Sequence, residues 1–250
     1  MISGLDRKIL LAHVMGCTRA EVAAGRKPMR EQERELATLI LRREAGEPIA
    51  YITGRKEFYG LDFKVTRDTL IPRPDSETLV DAVLESRAGA APKFILDLGT
   101  GSGCLLIALL RQFPGARGAG VDISPGAISV ARENAAALGT AARAEFICGD
   151  WSKAALPAAD IAVANPPYVR AGEKLMRDVS EYEPAAALYA GDDGLDAYRS
   201  IAALDLSCPI FLEIGEGQAE AVHSIFAPRR LEKSRCDLAG ITRVLEFALA

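Results

Sequence analysis

Apolar residues recur at helical spacing over the first 46 positions, with Leu5, Ile9 and Ala12 on one stripe and Leu36, Leu39, Ile40 and Leu41 on another. This pattern predicts a small helical domain over 1–46. Glu47-Pro48 interrupts helical continuation. Tyr51-Ile52-Thr53, Phe58-Tyr59 and 61–65 then read as short strands turning at Gly54 and Gly60, a β-hairpin linker over 47–70. Over 71–250 helical and strand periods alternate. A helix from Asp75 is followed by strand 94–98, helix 102–113, strand 118–122, helix 125–138, and strands 144–148 and 161–164. A helix at 195–204, a strand at 210–214, a helix from Gln218 and closing strands at 231–236 and 241–247 complete the chain. Such alternation implies parallel strands joined by crossover helices, hence a doubly wound α/β sheet.

Composition narrows the class without changing the fold. The chain has 250 residues, 49% hydrophobic and 26% charged, ordinary values for a soluble body with a substantial core. The longest wholly apolar run, 104–110, is far shorter than the roughly 20 residues that span a bilayer, and the N-terminus has no signal-type apolar core. No membrane partner and a cytoplasmic location are expected. The five cysteines (17, 104, 148, 208 and 236) form no C-x-x-C pair, and the two histidines, His13 and His223, lie far apart, so neither a disulfide scaffold nor a metal site is expected. A net charge of −4 supplies no global basic field, which makes a protein or small-molecule partner more natural than direct nucleic-acid binding.

Candidate chemistry lies at the ends of the predicted strands. Asp97-Leu98-Gly99-Thr100-Gly101-Ser102-Gly103 follows a buried strand and opens an apolar helix, so its glycines let the backbone turn sharply and approach a nucleotide-type cofactor. The G-x-G-x-G spacing does not complete the G-x-G-x-x-G fingerprint of NAD, because the third glycine would fall on Cys104 or Leu106. Asp122, with Ile123 after it, ends the second strand, where a carboxylate can accept both hydroxyls of a ribose. Ser124-Pro125 already supplies the helix cap there. Asp150 can accept an adenine amino group while Trp151 walls the base, although Trp151 also suits the core. Asn165-Pro166-Pro167-Tyr168 ends the fourth strand. There the Asn165 side-chain carbonyl and the Pro166 backbone carbonyl can accept both hydrogens of a planar NH₂ group, flanked by Tyr168. Fixing both hydrogens aims the nitrogen at a methyl donor and favours the charge that develops on it.

Together with Ile71-Pro72-Arg73-Pro74-Asp75-Ser76-Glu77, these motifs resemble the release factor glutamine methyltransferase family, also called the HemK or PrmC family. The likeness extends to 47–54, to Glu183-Pro184 with Ala187-Leu188, and to Ile241-Thr242-Arg243-Val244. The resemblance implies a seven-stranded class I S-adenosylmethionine methyltransferase fold and an N-terminal helical domain that docks the substrate. It further implies methyl transfer to the glutamine amide nitrogen of a Gly-Gly-Gln motif in a peptide chain release factor. Its cofactor loop falls on 99–103, its ribose acid on Asp122, its adenine-side position on Trp151 and its amide clamp on 165–168. Two departures stand out: the helical domain starts late, and Leu206-Ser207-Cys208-Pro209 replaces the usual glycine-rich turn before the fifth strand. Rival readings are an adenine-amino DNA methyltransferase, which ordinarily carries a basic recognition region not visible here, a nicotinamide oxidoreductase, and a non-catalytic cofactor-binding protein. Within the family the alternative is methylation of a ribosomal-protein glutamine.

Overall fold

A computed structural model describes residues 2–249, so Met1 and Ala250, the outer ends of the two expected domains, lie outside the described residues. The chain divides into one unit of Met1–Arg55 with Lys174–Glu183 and another of Lys56–Glu173 with Pro184–Ala250.

In the first unit, α1 (Gly4–Met15) begins where Ser3 accepts the Asp6 N–H and ends at Gly16, whose φ of 58° turns the chain left-handed. A reciprocal Thr18–Glu21 capping box opens α2 (Arg19–Ala23), and α3 (Arg30–Glu44) follows. Leu10, Leu36, Leu39 and Ile52 form the core. Leu5 and Leu41, expected on the buried stripes, are 56% and 66% exposed because they fall on the far side of their helices from Leu10 and Leu39. Tyr51-Ile52-Thr53 is not a strand. It belongs to α4 (Ile49–Thr53), with Pro48 just ahead of the first helical residue, where a missing N–H costs nothing, and Gly54 closing the helix at a φ of 70°. Segment 174–183 joins this unit, and the Tyr182 hydroxyl donates to the Ala45 carbonyl at 3.2 Å.

The hairpin pairs β1 (Arg55–Phe58) with β2 (Leu61–Lys64). Tyr59 and Gly60 turn it with φ of 51° and 71°, the positive values that match strand twist in a two-residue turn. The second unit continues with α5 (Glu77–Ser86), β3 (Phe94–Leu98), α6 (Cys104–Gln112), β4 (Arg117–Asp122), α7 (Pro125–Ala137), β5 (Ala144–Cys148) and β6 (Ile161–Ala164). After the short α8 (Arg177–Ser180) of the first unit come α9 (Asp196–Ala202), β7 (Ile210–Glu213), α10 (Ala219–Ile225), β8 (Arg230–Cys236) and β9 (Thr242–Ala248).

The seven strands lie in the order β5-β4-β3-β6-β7-β9-β8, with β9 antiparallel to both of its neighbours and the other pairings parallel. β6 and β7 are buried along their whole length, as expected of strands covered on both faces. One face carries Ile95, Val163 and Phe211 against α5, α6 and α7; the other carries Leu96, Ala162 and Leu212 with α9 and α10 residues such as Tyr198 and Val222. The chain leaves β3 toward β4 on one side and returns as β6 on the other. That reversal opens a crevice beyond the carboxyl ends of the strands, where all four candidate motifs lie.

Candidate active site

The loop after β3 is held from three sides. Gly99 and Thr100 both donate their backbone N–H to the Val121 carbonyl, at 2.8 and 3.0 Å. The Thr100 hydroxyl donates to Asp97 Oδ2 at 2.6 Å. Asn134 of α7, a residue the sequence reading passed over, donates to the Ser102 carbonyl at 2.8 Å and exchanges hydrogen bonds with the Lys64 backbone. Gly99, Gly101 and Gly103 have φ of 75°, 54° and 79°, a left-handed backbone that side chains with a Cβ resist. Asp97 lies wholly buried beneath the loop, and burial pushes its carboxyl up to about 7. Its Oδ1 and the Ser102 hydroxyl make no hydrogen bond.

Gly120 of β4 faces this latch, and a Cβ there would stand 2.6 Å from Thr100 Oγ1. Gly120→Ala should therefore destabilise the protein by about 1–3 kcal/mol through overpacking, lowering the thermal midpoint by roughly 2–4 °C per kcal/mol for a chain of this size. Calorimetry showing an unchanged midpoint would remove the steric role assigned to this glycine.

Asp122 closes the loop from the end of β4. One carboxylate oxygen accepts the Gly101 N–H and the other the Ser124 N–H, both at 2.9 Å, which leaves acceptor capacity on each oxygen. Burial raises its pKa and these two backbone donors pull it back. Ile123 is 65% exposed. The Trp151 indole N–H donates to Ser200 at 2.9 Å, which fixes the ring, and a Cβ on Gly99 would meet its edge at 3.3 Å. Asn165 follows β6 and donates from Nδ2 to the Ser76 hydroxyl oxygen at 3.0 Å.

One cavity of about 270 Å³ gathers Gly99, Thr100, Gly101, Ser102, Asp122, Ile123, Trp151, Asn165 and Pro167. Five of the candidate residues do not line it. Asp97 and Gly103 support the loop from below. Pro166 is buried, and Tyr168 packs into the core beneath α9 and α10. The Asp150 carboxylate is turned onto its own loop, accepting the Ser152 N–H at 2.9 Å and hydroxyl at 2.7 Å, which holds its pKa low. The cavity also takes in residues the sequence reading did not assign to a site: Arg67, Asp68 and Leu70 after the hairpin, Ser124, and Ala186. Gly126, the second residue of α7, makes room for Asp68, since a Cβ there would lie 2.5 Å from the Asp68 carboxyl carbon. Pro72, Arg73 and Ser76, quoted above only as part of a motif, contribute another wall, as do Pro184 and Ala187. Arg243 secures that motif by pairing with Asp75 at 3.3 Å and Asp237 at 2.8 Å. Among the described residues no group of three His, Cys, Asp or Glu side chains is placed to hold a metal, and no helix is long and apolar enough to cross a membrane.

A carboxylate with open acceptor sites, a fixed indole, an unpartnered hydroxyl and an asparagine amide share one cavity at the switch point of this sheet, and the seven-stranded order with β9 antiparallel is that of a class I methyltransferase fold. A family model described as a methyltransferase domain matches residues 95–178, and one described as the PrmC N-terminal domain matches residues 2–54. A release factor glutamine methyltransferase of Rhodospirillum rubrum is 42% identical over 96% of this chain and 77% of its own length. One from Bradyrhizobium diazoefficiens is 40% identical over 96% and 86%, and one from Cereibacter sphaeroides 41% over 98% and 90%. The chain belongs to the release factor glutamine methyltransferase family. Among solved structures, the hMettl16 catalytic domain in complex with an RNA hairpin superimposes with a TM-score of 0.57 over 77% of each chain at 13% identity, a likeness of fold alone.

Proposed function

We propose that this chain transfers a methyl group from S-adenosylmethionine to the side-chain amide nitrogen of the glutamine in the Gly-Gly-Gln motif of a peptide chain release factor. The observation that carries the reading is the Asn165 side chain, turned by Ser76 so that its carbonyl oxygen is left to a cavity whose other wall is the glycine loop and Asp122.

The residues present fit the cofactor. Asp122 keeps an acceptor site on each oxygen for the two ribose hydroxyls, Trp151 and Ile123 offer apolar walls for the base, and the unpartnered Ser102 hydroxyl can donate to the carboxylate. When bound, the cofactor supplies an electrophilic methyl group on a sulfonium. The protein's own part is positional and electrostatic. Asn165 Oδ1 at the cavity wall accepts one amide hydrogen and the backbone carbonyl of Pro166, whose ring is buried behind that wall, is the acceptor for the other, which fixes the nitrogen's direction of attack and favours its developing positive charge. Pro167 shapes the wall beside them, and Tyr168 holds the strand end in the core. Burial pushes the Tyr168 hydroxyl up to about 12, so it stays neutral there.

A planar NH₂ occurs in adenine as well as in glutamine, so discrimination has to come from a second surface. We assign that surface to the helical N-terminal domain. The test is transfer from labelled cofactor to an intact release factor, to a short Gly-Gly-Gln peptide, to ribosomal protein and to DNA. The intact factor should be methylated with far higher kcat/KM than the peptide, and the other two should stay unlabelled. Equal kcat/KM for factor and peptide would refute docking at a second surface. Label in DNA or ribosomal protein alone would refute the substrate.

A further inference from the structure

Glu213 is a carboxyl group where hydrophobic residues would be expected. It ends β7, is 1% exposed, and its Oε2 has no hydrogen-bond partner. A buried polar atom without a partner is costly and calls for an explanation. Neither the cofactor contacts nor the amide clamp makes use of it. Its position in the sheet supplies one. β6 and β7 pair in parallel with Ala164 beside Leu212, so the next step along both strands sets Asn165 beside Glu213. Ser76, 2% exposed at the end of the turn Pro74–Ser76, lies between the two: its oxygen receives Asn165 Nδ2 at 3.0 Å, and its hydroxyl is near enough to the Glu213 carboxyl to oppose the rise in that group's pKa. The Tyr198 hydroxyl donates to the Glu213 carbonyl at 3.0 Å, and Gln218 Nε2 donates to the Tyr168 carbonyl at 3.0 Å, so the segment behind 165–168 is itself anchored.

We propose that Ser76 and Glu213 are positioning residues for the methyl transfer. Glu213 takes the single Ser76 hydroxyl proton, the hydroxyl oxygen can then only accept, and Asn165 must present its NH₂ to Ser76 and its carbonyl oxygen to the substrate amide. The two ends of an asparagine side chain have nearly the same shape, so packing alone cannot choose between them; only the polarity of the neighbour can. A flipped Asn165 would set its NH₂ against the substrate NH₂, donor against donor. Glu213 serves in either charge state, since one oxygen accepts whether or not the other carries a proton. Burial pushes this carboxyl up to about 7 even with the Ser76 hydrogen bond opposing the shift.

This inference rests on the reading of Asn165 as the amide acceptor, and the experiment separates the two. Methyl transfer to a release factor is measured at saturating S-adenosylmethionine, with cofactor affinity by calorimetry and folding by thermal melts. Ser76→Ala should lower kcat on the order of tenfold, less than Asn165→Ala because the amide still samples the productive orientation, with cofactor affinity within about twofold of wild type. Ser76→Thr, which keeps the hydroxyl, and Glu213→Gln, which keeps an acceptor oxygen, should each stay within about threefold of wild type, a rescue that loss of packing alone would not give. Should Ser76→Ala fail to fold, Ser76→Cys, close in volume but a weak donor, takes its place with the same expected loss. Wild-type kcat in Ser76→Ala beside a crippled Asn165→Ala overturns the relay and leaves the clamp standing. Equal losses in folded Ser76→Ala and Ser76→Thr overturn it too. Wild-type activity in Asn165→Ala overturns the clamp and the relay together.

Discussion

Asn165→Ala should bind S-adenosylmethionine normally and lose on the order of 10²-fold or more in methyl transfer, the scale on which a positioning and charge-stabilising acceptor acts. The amide nitrogen is a poor nucleophile because its lone pair is delocalised into the carbonyl. An acceptor that fixes its hydrogens both aims the nitrogen and favours the positive charge that grows as it attacks. Removing the Asn165 side chain deletes that acceptor and leaves the loop, Asp122 and Trp151 with their own hydrogen bonds, to Val121, Gly101, Ser124 and Ser200. Cofactor affinity by calorimetry and single-turnover rates separate the two effects. A rate within a few-fold of wild type in a folded protein would refute the clamp.

Asp122→Ala should show the opposite split, weakening S-adenosylmethionine by roughly 1.5–3 kcal/mol, or about 10- to 150-fold in Kd. Two losses combine here. The ribose hydroxyls lose their charged acceptor, and the Gly101 and Ser124 N–H groups lose the carboxylate that ties the glycine loop to the start of α7. Asp122→Asn, which keeps one acceptor oxygen, should fall between. Wild-type affinity in a folded Asp122→Ala would take this residue out of the site.

Much of the second unit was legible because the physics behind it is local. Parallel strands buried on both faces read as unbroken apolar runs, such as Ile161–Ala164, and a glycine loop between such a strand and an apolar helix has few other uses. The first unit was harder. Ile49, Ile52 and Thr53 carry β-branched side chains, yet burial of Ala50, Tyr51 and Ile52 and the Gly54 cap make the segment a helix, so packing overrode propensity. Ala12, Leu36 and Leu39 of the two predicted stripes are buried, but Leu5 and Leu41 fall off the buried face, because apolar spacing alone does not say where a stripe's edge lies. Arg67, Asp68 and Ala186 reach the cavity only through tertiary folding. Ser76 and Glu213 were invisible as a pair for the same reason: the Ser76–Asn165 contact links residues 89 positions apart, and nothing local marks it. Asp150 failed in the other direction, since an Asp followed two residues later by Ser most readily closes its own turn.

The central claim is that the reacting atom is a glutamine amide nitrogen. It is tested most directly by mass spectrometry of a release factor incubated with this 250-residue chain and S-adenosylmethionine, with fragmentation across the Gly-Gly-Gln peptide. A single methyl group on the glutamine side chain, absent when Asn165→Ala replaces wild type at equal enzyme concentration and short times, is the predicted result. An unmodified glutamine, with the methyl group on another residue or on an adenine in added DNA, would contradict it.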